Sequence, residues 1–221
     1  MIKNEPDVNN YIKMPEWWEL TEQHGIPKLN RIAFKNPPDT MELTAFNEAY
    51  KVPNTKRKKT NIHFFLGDYL FERTWSRLIQ TAEFLEQYKL VLSPDFSLYT
   101  DMPKALQLFN HYKKMYVSKF WQDMGIKVVP VACWSDESSF DFCFEGMPKD
   151  SLIAVSSVGV MNSKKDKHAF ELGYNTMLEV LEPKQILWYG KEHECIDNSI
   201  PHIIVNPSYE MRFKALKEER S

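Results

Sequence analysis

Five short β-branched and aromatic runs, each stopping abruptly in small, acidic or hydroxyl residues ahead of a helical stretch, constrain this chain more than any other feature. Residues 62–66 run into Gly67-Asp68, and 90–92 into Ser93-Pro94-Asp95-Phe96-Ser97. Residues 128–132 run into Cys133-Trp134-Ser135-Asp136, 153–155 into Ser156-Ser157-Val158-Gly159, and 186–189 into Gly190-Lys191. Near-continuously apolar strands alternating with helices are the pattern of a parallel sheet covered on its faces. Polar residues then gather at the carboxyl ends of the strands, where parallel α/β proteins hold their ligands.

The intervening segments carry helical periodicity. Ala105, Leu108, Phe109, Tyr112, Met115, Tyr116, Phe120 and Met124 recur at three-and-four spacing, with Lys104, Lys113, Lys114 and Lys119 between them. This predicts an amphipathic helix of about five turns, ended by Gly125. Trp75, Leu78, Ile79, Ala82, Leu85 and Tyr88 mark a second helix over 71–88. Phe170, Gly173, Tyr174, Met177, Leu178 and Leu181 mark a third, closed by Pro183. Counting 32–34 and 202–205 as strands gives about seven, with a last helix from Ser208. The fold expected is α/β, built of repeated β/α units with a mainly parallel sheet. A compact (β/α) barrel is preferred over an open doubly wound sheet.

A chain of 221 residues, 43% of them hydrophobic, can bury one sizeable core. Residues 1–60 hold six of the thirteen prolines and the basic run Lys56-Arg57-Lys58-Lys59. They read as an extended arm packed on a single domain of residues 61–221 through Trp17 and Trp18, with a short helix from Met41 to Tyr50. A formal charge of −2 and a pI near 6.3 exclude duplex DNA binding by bulk electrostatics. Neither a membrane-length apolar run nor a signal-peptide core is present, so a cytoplasmic protein with no membrane association is expected. Cys133, Cys143 and Cys195 lack C-x-x-C spacing and read as reduced thiols.

Asp95 is the first choice for a functional carboxylate, because a strand running into Ser-Pro-Asp aims a carboxylate and a hydroxyl above the sheet rim. Asp68 and Asp136 stand at the same rim. Three such carboxylates could share acid and base roles or bind a divalent metal. Each could equally cap a turn, a common use of Asp and Ser. Trp134 offers a stacking wall for a base or sugar, or a lid on the core. Ser97, Ser156 and Ser157 are further substrate contacts, and Lys191 could meet an anion. No phosphate-loop, dinucleotide-binding or nucleophile-elbow pattern accompanies them. Cys133, Cys143, His193 and Cys195 have no diagnostic zinc spacing, and His63 reads as a core residue. The basic run, with Arg31, Lys51 and the tail after Arg212, could form a nucleic-acid-facing edge or a solvated loop.

The strings His63-Phe64-Phe65, Asp68-Tyr69, Phe71-Glu72-Arg73, Ser93-Pro94-Asp95-Phe96-Ser97-Leu98-Tyr99, Trp134-Ser135-Asp136 and Phe142-Cys143-Phe144-Glu145-Gly146 resemble a domain-of-unknown-function family carried by bacteriophages, prophages and other mobile elements. That resemblance implies a bacterial cytoplasmic setting and brings no activity with it. A weaker likeness, to barrel enzymes that exchange bases in nucleic acid, rests on Asp95 and the 130–134 segment, without that superfamily's zinc-binding set. Two functions are therefore expected to compete. One is an enzyme acting on a nucleotide, nucleoside or nucleic acid through Asp95, with Asp68 and Asp136 in support. The other is a non-catalytic phage protein that binds a host replication, repair or defence factor.

Overall fold

The computed structural model describes residues 14–159 and 163–207. Its strands are β1 (Leu43–Ala45), β2 (Asn61–His63), β3 (Leu90–Leu92), β4 (Val128–Val129), β5 (Leu152–Ser156), β6 (Gln185–Tyr189) and β7 (His202–Val205). The helices are α1 (Asn54–Arg57), α2 (Arg73–Ser76), α3 (Leu78–Leu85), α4 (Lys104–Asp123) and α5 (Lys164–Leu181). All strand pairing within the sheets is parallel, in the orders β1-β2-β3-β4 and β5-β6-β7. The α/β class with parallel sheets is as expected.

Burial on both strand faces explains why these runs are apolar without interruption. Val91 and Val128 turn outward into the cluster beneath α3 and α4, and Ile153, Val155, Ile186 and Trp188 turn outward toward α5. Their neighbours Leu90, Leu92, Val129, Leu152, Ala154, Leu187, Ile203 and Val205 form one inner cluster shared by the two sheets. Bridges join the sheets at both edges: Val131 pairs with Ala154, and Thr40 with Ile204, each in parallel sense.

Three elements differ from expectation. Residues 32–34 are not a strand. Ile32 makes one ladder-like bond, accepting from Leu152 N at 2.6 Å, and Phe34 is held by the Gln185 side chain, so side chains replace the ladder. The edge strand is instead β1, followed by a 3-10 helix over Phe46–Lys51 where one α-helix was expected. The 71–88 helix is two, because Arg77 leaves helical geometry at φ −132°, ψ 56°. The helix expected from Ser208, with the basic tail, lies outside the described residues.

Helix α4 shows the largest departure. Its apolar stripe is only partly inward: Phe109 is 46% and Met124 41% exposed. Gln107, Asn110, His111, Lys114 and Ser118 are buried instead, as a polar stripe at the same three-and-four spacing. Lys113 and Lys114, expected among the solvated positions, are both buried. This rotation aims the polar stripe at the ends of β3 and β4.

Candidate functional site

The chain leaves β3 through Ser93 and Pro94, and Ser93 Oγ accepts from Val131 N at 2.8 Å, tying the ends of the two strands together. Asp95 follows. Its Oδ1 is buried and has no hydrogen-bond partner, an uncommon condition for a carboxylate oxygen. Lys114, 1% exposed, reaches from α4 and donates to Val131 O at 3.0 Å and to Cys133 Sγ at 3.2 Å. The Cys133 thiol in turn hydrogen-bonds the Asp95 carboxyl. Lysine, thiol and carboxyl thus form a continuous polar chain in an apolar surround.

Burial dominates the electrostatics. It pushes the Asp95 carboxyl up to about 6, against the opposing pull of Lys114 and Cys133 and with a smaller push from Asp68. Burial likewise pushes the Cys133 thiol up to about 12, which makes it a bridging group rather than a nucleophile. A carboxyl that titrates near neutrality can both give and take a proton under cellular conditions.

Asp68 and Ser97 join this site. Asp68 accepts from Ser97 Oγ at 2.8 Å and from Ser97 N at 3.2 Å, while Asn110 Nδ2 donates to Ser97 O at 2.8 Å. The loop bearing Asp95 is therefore pinned from the β2 side by Asp68 and from α4 by Asn110. At the edge, Lys113 Nζ lies 4.1 Å from the Phe96 ring centroid and 3.4 Å from Glu72. Tyr69 and Tyr99, next to Asp68 and close after Ser97, are 84% and 59% exposed. A cation here would find Asp95 Oδ1 and Asp68 as ligands but would face the Lys114 charge, so the arrangement suits proton transfer better than metal binding.

The other predicted residues fall elsewhere. Asp136 caps its own 3-10 turn, accepting from Ser138 N at 3.0 Å and from Ser138 Oγ at 2.6 Å. Trp134 packs on Phe170, 5.3 Å between ring centroids, and against Gly173 of α5. Ser156 and Ser157 cluster with the main chain of Lys191: Ser157 Oγ donates to Lys191 O at 3.2 Å, and Ser156 Oγ accepts from Val158 N. The Lys191 residue itself is exposed. Burial pushes His63 down to about 4, and its ring sits between Phe65 and Tyr189. In the basic run, Lys58 Nζ donates to Glu86 O beyond the end of α3, and Arg57 lies over the Phe84 and Tyr88 rings. Lys114 and Asn110 escape a reading of the apolar stripe alone. Their signal is the second, polar stripe on the same helix.

Among the described residues no helix is long and apolar enough to cross a membrane. No solved structure matches the chain. Over 209 residues, 93% of this chain and 88% of the relative, it is 41% identical to the gene 1 protein of Mycobacterium phage L5. It is 38% identical over 148 residues to the gene 1 protein of Mycobacterium phage D29, a match that spans 67% of this chain and 55% of that protein. Residues 18–207 match the model of one family throughout, and the chain belongs to that family, the domain of unknown function DUF4417.

Proposed function

We propose that the protein is an enzyme acting on a nucleotide, nucleoside or nucleic-acid substrate, with Asp95 as its general acid or base. One observation carries the reading: the Asp95 carboxyl, at the carboxyl end of β3, is held near 6 with Oδ1 unpartnered, and is wired through Cys133 to Lys114. Lys114 sets the charge around Asp95, and Asp68 with Ser97 positions the loop. Exposed Tyr69 and Tyr99 supply π-faces on which bases stack, which favours a nucleobase over an apolar substrate. The reading takes the two sheets as one barrel, supported by the bridges at both edges.

The test is a panel of nucleosides, nucleotides and short single strands, followed by ligand-observed NMR for binding and chromatography for turnover. Turnover is expected in the native protein, and D95N should lower it by about 100-fold or more while leaving binding nearly unchanged. A silent panel, or a fully active D95N protein, would sink the reading.

A second reading rests on a different surface. Trp17, 75% exposed, borders a groove formed with Pro15, Trp18, Phe120 and Met124, the kind of aromatic anchor that protein interfaces use. Under that reading the protein docks a host factor, and W17A abolishes the host effect that D95N spares.

A further inference from the structure

A second group of ionisable side chains lies between α5 and the loop after β6. The ligand atoms of Glu171, His193 and Glu194 all fall within 4.8 Å of one another. They come from two separate elements, so their meeting is a product of the fold and not of local sequence. The His193 side chain is 12% exposed and Glu171 35%, while Glu194 is exposed.

The hydrogen bonding of His193 favours a ligating role. Cys195 N donates to His193 Nδ1 at 3.3 Å, which assigns the lone pair to Nδ1 and the proton to Nε2. Nδ1 is also the nitrogen that faces Glu171, 3.8 Å from its Oε1. Nε2 is buried with no partner, so hydrogen bonds to protein do not account for where the ring sits. His193 is the only ion-pair partner of either glutamate among the described residues, which leaves two neighbouring carboxylates without a lysine or arginine.

We propose that Glu171, His193 and Glu194 bind a divalent metal ion of the zinc class, at a site independent of Asp95. One imidazole nitrogen and two carboxylate oxygens select a borderline ion over calcium or magnesium, which prefer all-oxygen shells. Bonds of about 2.1 Å would draw the three ligand atoms to about 3.4 Å apart, a modest closure of two glutamate side chains. Water would complete the shell on the exposed side. The ion would fasten the loop after β6 to α5, on the carboxyl-end side of the strands.

The experiment is a titration of the full chain, under reducing conditions, with Zn2+ alone in competition with a chromophoric chelator. One equivalent should bind with micromolar or tighter affinity. H193A and E171Q should each weaken binding by about 100-fold or more, at least the loss seen when an outer-shell partner is removed. E194Q should weaken it as well and, being an exposed near-isosteric change, decides the matter if H193A does not fold. D95N and C195S should bind as the native chain does. Absence of binding, or native affinity in E171Q and E194Q, overturns the proposal. So does binding that D95N or C195S removes while E171Q keeps it, which would assign the ion to the Asp95 site or to a thiol.

Discussion

Asp95 and Lys114 define the chemistry available at the end of β3. In a buried setting the lysine's charge is the main force holding the Asp95 carboxyl down, opposing a desolvation that alone would drive it higher. K114M keeps the volume of the side chain and removes that charge, so Asp95 should titrate above its native value of about 6. Carboxyl-carbon NMR across pH 4 to 9 measures both proteins. A native Asp95 titrating near the ordinary 3.8 would mean that water reaches the carboxyl and that the site is not poised for proton transfer. Lys113, one residue away, sits at the edge against Glu72 and Phe96.

At the scale of elements, α5 and the β4 end meet through one close contact. Gly173 lies where any side chain would overlap the Trp134 indole, so the mid-helix glycine is a packing requirement. G173A should destabilise by about 1–3 kcal/mol from overpacking, despite the roughly 1 kcal/mol that alanine gains over glycine in a helix. A denaturant melt gives the sign, and equal or greater stability in G173A would show that the indole moves freely. The same scale explains what the sequence made legible. Strand runs at 90–92, 153–155 and 186–189 were readable because burial on two faces leaves an unbroken apolar string. Strand β1 was not, since Leu43-Thr44-Ala45 is three half-buried residues with no distinctive pattern. Asp95, Asp68 and Ser97 were found by their place after strands, but the same rule also chose Asp136, which turns back on its own loop. Lys114 was hidden because a buried lysine on a helix looks, residue by residue, like a solvated one.

The whole molecule carries opposing proton linkages. Folded His63 titrates near 4 and the unfolded residue near 6.5, so between these values the unfolded chain binds the extra proton and stability falls as pH drops. His111, held well below 6.5 by burial, adds the same sign. Asp95 acts oppositely, because the folded chain keeps its proton up to about 6 while the unfolded chain releases it near 3.8. Two imidazoles outweigh one carboxyl, and net stability should decline from pH 7 to pH 4. H63N should remove about 3 kcal/mol of that decline, and D95N should steepen it. Urea melts at the two pH values test this, and an unchanged slope in H63N would refute the assignment. The bridge between Thr40 and Ile204 joins residues 164 positions apart, whereas each strand otherwise pairs with its neighbour in the chain. Assembly can therefore proceed strand by strand in the order of synthesis, with this one contact left to the end. Until β7 is made and seats against the 39–40 segment, the inner faces of the earlier strands stay open along one edge, and the nascent chain is most exposed to aggregation or chaperone capture in that interval.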